Sequence, residues 1–284
     1  FFAQVCLLAA VLSAGPAARA DPTPSPPLVH SSSVVLPAHT QVDGVRVAEI
    51  SGLAWDPEAQ LLYAVSDSGH LFRLRLRVQG RELVGVEPLS AVPLKPVAGA
   101  PGKGATDAEG LAWRSEGGVS ELLVATEGTP KVWRIGTRGE ALGEAPLPPA
   151  LADATRYAAP NTMLEAVAVH PTHGLLLAPE QGLRGEDPLQ GHRVHGPTRH
   201  WNVPSMEPGV SRLKAMDVME DGSLLILERS GGGKKLRNAL RHVDLSRCQH
   251  LSTCKPATLA LLDRRSGAEN FEGMAYLGQR QVLL

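Results

Sequence analysis

The chain has few aromatic residues and almost no net charge. Aromatic residues make up 4% of its 284 residues, which excludes a row of platforms for stacking sugars or bases. The formal net charge of −1 gives no electrostatic basis for binding nucleic acid or an anionic membrane. The Gly-x-Ser-x-Gly motif of serine esterases is absent. With 43% hydrophobic and 20% charged residues, what remains is an ordinary globular composition.

Long apolar segments are also missing, since the longest apolar run, Val5 to Leu12, is too short to cross a bilayer. A small-x-small cleavage signal follows at Ala18-Arg19-Ala20. We therefore predict a signal peptide over residues 1–20, clipped at its start because Met and a basic region are lacking. The alternative is a buried N-terminal strand or helix. Residues 21–33 are predicted to form a Pro-rich linker, and the protein to be periplasmic or secreted.

Cysteine is scarce, with three residues in the whole chain. Cys6 lies in the predicted signal peptide, which leaves Cys248 and Cys254 in a compartment that permits disulfides. We predict that these two form a disulfide. A metal pair is the alternative, but no further Cys or His pair completes a tetrahedral zinc pattern.

A short phrase recurs five times along the chain: a polar residue, a small residue, then an apolar run. The phrases begin at positions 51, 109, 165, 214 and 272, which are 58, 56, 49 and 58 residues apart. They read Ser51-Gly-Leu-Ala-Trp55, Glu109-Gly-Leu-Ala-Trp113, Glu165-Ala-Val-Ala-Val169, Lys214-Ala-Met-Asp-Val218 and Glu272-Gly-Met-Ala-Tyr276. A period near 50 residues indicates a solenoid, propeller or array.

Four of the repeats have a second half, an apolar run that ends in an acid. These runs are Tyr63-Ala-Val-Ser-Asp67, Leu123-Val-Ala-Thr-Glu127, Leu176-Leu-Ala-Pro-Glu180 and Leu224-Leu-Ile-Leu-Glu228. Turn sequences separate the two halves, so each repeat is interpreted as four antiparallel strands. Four strands repeated radially predict an all-β fold, a β-propeller over residues 34–284. Either five or six blades are compatible with the repeat, and we expect six, with the C-terminal end of the chain missing. Ser33 to Val47 is expected to supply the outer strand that closes the ring.

The acids fall at one end of every repeat. In an antiparallel pair the start of the first strand and the end of the second lie together, so the ring gathers these carboxylates at one mouth of its channel. Hard oxygen ligands in excess suit Ca²⁺. The alternative is that the acids accept backbone N–H bonds in turns, with Lys214 and Arg229 neutralising them internally. The predicted metal ligands are Asp67, Asp107, Glu109, Glu127, Glu165, Glu180, Glu228 and Glu272.

Four phrases in order along the chain resemble one known family. They are Asp107-Ala-Glu-Gly-Leu111, Asn161 with Glu165, Leu227-Glu-Arg-Ser230 and Asn270-Phe-Glu-Gly-Met274. They resemble the phytase-like propeller family, which is often labelled "esterase-like activity of phytase". The resemblance covers residues 46 to 284 and implies a six-bladed propeller in exported bacterial proteins that hydrolyses ester or phosphoester bonds. The denser Asp-Ala-x-Asp-Asp-Pro signature of alkaline propeller phytases is absent, which argues against phytate as the substrate.

These observations predict a metal-assisted hydrolase acting on a small anionic or ester substrate. Glu109 or Glu165 is the candidate base for an attacking water, and Lys214 and Arg229 would hold an anionic group. Two alternatives stay open from sequence: a non-catalytic propeller that binds a ligand or partner, and a lactonase-like propeller with one metal. All three need acids at the channel mouth.

Overall fold

A computed structural model describes residues 4–9, 28–94, 107–248, 253–263 and 270–284 of the chain. These residues form five four-stranded antiparallel sheets and one two-stranded ribbon. The first sheet contains β5 (Ile50–Asp56), β6 (Leu61–Ser66), β7 (His70–Gln79) and β8 (Glu82–Pro93). The second contains β9 (Ala108–Glu116), β10 (Val119–Thr126), β11 (Lys131–Gly136) and β12 (Ala141–Glu144). The third contains β13 (Leu164–His170), β14 (Gly174–Pro179), β15 (His192–His195) and β16 (His200–Val203).

The first and last described strands share one sheet. The fourth sheet contains β17 (Arg212–Val218), β18 (Leu224–Ser230), β19 (Arg237–Val243) and β20 (Ala257–Asp263). The fifth contains β21 (Ala275–Gly278), β22 (Gln281–Leu283), β1 (Gln4–Ala9) and β2 (Val29–Val35). The ribbon pairs β3 (Gln41–Val42) with β4 (Val45–Arg46). Helical structure in the described residues is limited to α1 (Pro149–Ala152) and the 3₁₀ turns Ala154–Arg156, Pro188–Gln190, Gly233–Lys235 and Leu245–Cys248.

The innermost strands β5, β9, β13, β17 and β21 contact one another in order, and β21 contacts both β17 and β5. The sheets are therefore blades around a closed ring, and the predicted propeller is confirmed. The described residues form five blades rather than the expected six. Strand β21 contacts both the fourth and the first blades, so the described strands close into a ring of five. The segment expected to close the ring does so in part, since β2 is the outer strand of blade five.

Strand β1 lies inside the predicted signal peptide, and it pairs with β2 on one side and β22 on the other. This is the pairing of the uncleaved chain, and it matches the alternative of an N-terminal strand. The cleavage signal at residues 18–20 and residues 21–27 of the linker lie outside the described residues. Cleavage and export therefore stay predictions.

The core consists of layers between neighbouring blades. Along β6, Leu62 and Ala64 pack toward blade five, whereas Tyr63 and Val65 pack toward blade two. Alternate residues of a strand face opposite sides of its sheet, and both sides are covered here. This explains why the second strand of each repeat is a continuous apolar run rather than an alternating one.

Small residues at the second position of each phrase let the inner strands approach closely. A Cβ placed on Gly52 would lie 2.8 Å from the carbonyl oxygen of Glu109, and one on Gly110 would lie 2.7 Å from that of Glu165. A Cβ on Gly273 would likewise meet Leu53 at 2.8 Å. Each phrase therefore lies directly against the phrase of the next blade, and the side chains that start the phrases are brought together.

The predicted disulfide is present between Cys248 and Cys254, whose Cα atoms are 5.3 Å apart. Both cysteines are buried in the layer between blades three and four. The Cys254 N–H donates a 2.8 Å hydrogen bond to the carbonyl of Asn202 on β16, so the bridge fastens one blade to the next. None of the helices in the described ranges has the length and apolarity needed to cross a membrane.

Candidate functional site

β-bulges direct the first residue of each phrase in blades one to four. On β9, Ala108 and Gly110 pair with consecutive residues of β10, so Glu109 is an extra residue in the ladder. The same irregularity sets Glu165 apart on β13, Ser51 on β5 and Lys214 on β17. Bulges turn a side chain out of the regular ladder and are common beside active sites. The same bulge therefore displaces the first side chain of the phrase from the strand ladder in each of these four blades.

The second mouth position follows the second strand of each blade. There the backbone N–H donates to the carbonyl of the residue two before the phrase. The pairs are Asp67 with Glu49 at 3.1 Å, Glu127 with Asp107 at 3.0 Å and Glu180 with Met163 at 3.0 Å. In these three blades the predicted acids therefore occupy one equivalent register position.

Blade four departs from this register. Arg212, two residues before Lys214, pairs with Arg229, so Arg229 and not Glu228 occupies the mouth position. Glu228 pairs with Leu213, one residue earlier. Neighbouring residues of a strand point to opposite faces, and Glu228 accordingly has different surroundings from the other predicted ligands.

Glu228 is fully buried away from the mouth acids. Its carboxylate accepts a 2.7 Å hydrogen bond from the Met206 N–H and pairs with Arg241 at 3.1 Å. His192 Nε2 lies 3.6 Å away, too far for a hydrogen bond. Burial raises the pKa of Glu228, but the neighbouring histidine, backbone N–H and Arg241 outweigh it and hold that pKa below its usual value. The structure thus gives this predicted ligand a partner set suited to a structural ion pair.

Three of the predicted acids come together as a potential metal-binding group, here called the acidic triad. Asp107, Glu109 and Glu127 each offer a carboxylate oxygen, and these oxygens lie within 4.8 Å of one another. Glu127 is buried and the other two are half-buried. Glu127 Oε1 accepts a 3.2 Å hydrogen bond from the Met163 N–H, which orients it from the third blade. Within the described chain, none of the three has an ion-pair partner within 4.0 Å.

Burial and mutual repulsion alter the acidity of the triad. Burial, together with the charges of Glu165 and Asp67, raises the pKa of Glu109 far above its usual range. Burial and the charges of Glu180 and Asp107 raise the pKa of Glu127 to about 7. Burial raises the pKa of Asp107 as well. A nearby cation would relieve this repulsion, so a hard divalent ion such as Ca²⁺ fits the donor set.

Three further mouth acids form ion pairs with two basic residues, an arrangement here called the mouth network. It comprises Glu165, Glu180 and Glu272 with Lys214 and Arg229. Lys214 Nζ contacts Glu165 and lies 3.1 Å from Glu180 and 3.9 Å from Glu272. Arg229 lies 2.9 Å from Glu272 and 3.5 Å from Glu180, and it also donates to the side-chain oxygen of Asn270.

Burial has opposite effects on the pKa values of the two buried network residues, Lys214 and Glu165. Burial would lower the pKa of Lys214, but the carboxylates of Glu165 and Glu180 outweigh it and raise that pKa. Burial raises the pKa of Glu165 despite the opposing Lys214 charge. Asp67 lies between the network and the triad: burial and the charge of Glu272 raise its pKa, and a hydrogen bond from Ser51 opposes the rise.

Asp217, a half-buried acid of β17, was not among the predicted site residues. Asp217 accepts hydrogen bonds from the Val218 N–H at 2.7 Å and from the Tyr276 N–H at 2.6 Å, which joins blade four to blade five. Burial raises the pKa of Asp217 to about 6. The signal was available in the repeat, since Asp217 stands where the other four phrases carry Ala.

Comparison with known proteins identifies the family. The family model named Phytase-like, "Esterase-like activity of phytase", matches residues 45–284, which include every mouth residue described above. The chain belongs to this family. No curated protein sequence matches this phytase-like chain. A solved structure titled "Structure of Dos1 propeller" is similar with a TM-score of 0.39 and 7% identity, over 90% of this chain and 70% of that one. A likeness this distant says nothing about activity.

Proposed function

We propose that the protein is an exported, metal-assisted hydrolase of small esters or phosphoesters that works at the channel mouth. The acidic triad carries the proposal, because its three carboxylate oxygens lie within 4.8 Å of one another without a paired cation in the described chain. The family description, which names an esterase-like activity, supports chemistry on ester bonds. The bridged cysteines support export, since disulfides persist in oxidising compartments.

The triad residues Asp107, Glu109 and Glu127 would hold the Ca²⁺. A bound Ca²⁺ supplies a Lewis acid for a carbonyl or phosphoryl oxygen of the substrate. The contribution of these side chains is to hold three oxygens together at one end of neighbouring blades, with Glu127 fixed by the Met163 N–H. Glu109 is thereby a ligand in this proposal rather than the base.

Glu165 is then the candidate general base. Its pKa is raised by burial, and a base works best when its pKa is near the working pH. The Lys214 ammonium contacts Glu165 and fixes its orientation. The charge of Glu165 also interacts with that of Glu109 in the triad. Glu165 would therefore accept a proton from an attacking water close to the metal ligands.

Arg229 is the cation better able to meet a substrate. Its side chain is 21% exposed, whereas that of Lys214 is 6% exposed and surrounded by carboxylates. We therefore assign Arg229 to an anionic group of the substrate and Lys214 to positioning Glu165. This divides the substrate-binding role that the sequence suggested for both.

A direct assay tests the proposal. The purified chain would be incubated with p-nitrophenyl acetate, p-nitrophenyl phosphate, phytate and gluconolactone, in Ca²⁺ and in chelator. Glu165→Gln and Glu109→Gln are the test variants. Glu144→Gln is the matched control, because Glu144 is an exposed acid paired with Lys131 on the rim of blade two.

Turnover of an ester or phosphoester that is lost in chelator and in Glu165→Gln, but retained in Glu144→Gln, would support the proposal. Turnover of gluconolactone alone would favour the lactonase-like alternative. A folded, Ca²⁺-loaded protein that turns over none of these substrates would reject hydrolysis in favour of a binding propeller.

A further inference from the structure

Blade four differs from its neighbours at both mouth positions. The first position carries Ser51, Glu109 and Glu165 in blades one to three and Lys214 in blade four. The second carries Asp67, Glu127 and Glu180 in those blades and Arg229 in blade four. One blade therefore presents two cations at places where its neighbours present mainly acids.

Lys214 occupies the position of a bound cation. Its residue is 5% exposed, and its Nζ is surrounded by oxygens of Glu165, Glu180 and Glu272, two of which lie 3.1 and 3.9 Å away. An ammonium has three N–H donors and no acceptor. Glu165 and Glu180 lie within hydrogen-bond distance of it, and Glu272 lies within ion-pair distance only. The protein thus supplies its own cation to this half of the mouth.

Charge divides the two halves of the mouth. The mouth network has three carboxylates and two cations, so its formal charge is −3 + 2 = −1. The acidic triad has three carboxylates and, in the described chain, no cation within ion-pair distance, so its formal charge is −3 when all three are ionised. Most of the uncompensated negative charge at the mouth therefore lies at the triad, where an external cation would be bound.

We propose that Lys214 is a resident cation that limits the mouth to one divalent metal ion, held at the acidic triad. The inference rests on the proposed metal site and assigns its stoichiometry to a named residue. Without the Lys214 ammonium, the network would carry −3 + 1 = −2, the charge that a divalent ion neutralises. Lys214 is thus a positioning and metal-limiting residue rather than a catalytic one.

Calcium titration of the full chain by calorimetry tests the idea. Wild type and Lys214→Arg should bind one Ca²⁺ per chain, because both keep a cation in the network. Lys214→Ala should bind two, because it removes the cation and opens space. Circular dichroism and thermal melting establish that each variant is folded.

Two Ca²⁺ ions in wild type, or one in folded Lys214→Ala, would overturn the inference. If wild type binds none and Lys214→Ala binds one, the triad site of the proposed function fails while the resident cation stands. Should Lys214→Ala not fold, Glu272→Gln in the wild-type background decides. It should keep one Ca²⁺ with at most a threefold change in affinity, and loss of that ion would contradict the assignment.

Discussion

Glu228 and Arg229 are consecutive residues of β18, yet their side chains end in separate ion-pair groups. Arg229 reaches Glu272 at 2.9 Å at the channel mouth, whereas Glu228 reaches Arg241 at 3.1 Å in the interior. The alternation of side chains along a strand requires this separation. The two residues therefore make opposite contributions, one to the site and one to the fold.

Glu228→Gln should destabilise the protein and leave calcium binding intact. Removing one partner of a buried ion pair leaves the other charge uncompensated, which costs about 3–5 kcal/mol. Glutamine still accepts the Met206 N–H bond, so we expect a loss near the lower end, about 3 kcal/mol, in urea unfolding. The exposed control Glu144→Gln should cost less than about 1 kcal/mol. A calcium affinity that fell tenfold in folded Glu228→Gln would return Glu228 to the metal site.

Asp217→Ala should weaken the junction between blades four and five. Alanine fits sterically, since the other phrases carry it there, so the loss comes from two backbone N–H groups left without their acceptor. Unsatisfied buried donors cost about 1–3 kcal/mol each, and we expect about 2–4 kcal/mol in total.

Asp217→Asn keeps an acceptor oxygen and should recover part of that stability. The comparison is made by chemical unfolding of both variants. Equal stability of wild type and Asp217→Ala would show that the two hydrogen bonds contribute nothing to the ring.

Three of the four predicted second-strand acids stand at the mouth position, and the fourth, Glu228, does not. The distance from phrase to acid is 16 residues for Asp67, 18 for Glu127, 15 for Glu180 and 14 for Glu228. Turn length varies between blades, so the spacing already differs by one to four residues from blade to blade. A shift of one residue in the strand register of blade four therefore cannot be recognised from the spacing. Only the strand register shows that Arg229 occupies the position.

The number of blades was predicted wrongly for a different reason. The repeat phrase marks inner strands, and five phrases gave five inner strands. Strands β1 and β2 lie before the first phrase and carry no repeat signal, yet they complete the sheet of β21 and β22. Sequence could therefore predict the propeller and part of the closing outer strand, but not that β1 pairs between β2 and β22.

Gly110→Ala should disturb the fold and the site together. The added Cβ would lie 2.7 Å from the Glu165 carbonyl, a backbone atom that cannot move alone. Overpacking of this kind costs about 1–3 kcal/mol. Gly232→Ala is the matched control, because its backbone is extended and its Cβ would meet no atom within 4 Å.

The measurements are thermal melting and calcium titration. Gly110→Ala should lower both the melting temperature and the calcium affinity, and Gly232→Ala should change neither. Equal melting temperatures for the two variants would mean that the inner strands separate more easily than their contacts indicate.

Glu127 should make the calcium-free protein less stable as pH rises. Its pKa in the folded protein is about 7, above the ordinary value of 4.5, so the folded state binds this proton more tightly than the unfolded state does. The stabilisation is complete below pH 4.5 and is lost as pH rises through 7. Asp107 and Glu109 have raised pKa values and act in the same direction. Glu127→Gln should therefore flatten part of the decline in melting temperature between pH 5 and 8, measured in chelator.

Calcium should reverse this trend by displacing the protons. Affinity should fall as pH drops below about 7, because Ca²⁺ and protons compete for the same carboxylates. Calorimetry at pH 6.5 in two buffers of different ionisation enthalpy would give the protons released per Ca²⁺. We expect at least half a proton fewer from Glu127→Gln than from wild type, since a group with a pKa near 7 is mostly protonated at that pH. An equal release from both proteins would mean that Glu127 does not lose its proton to the metal, and the triad would then lack its third ligand.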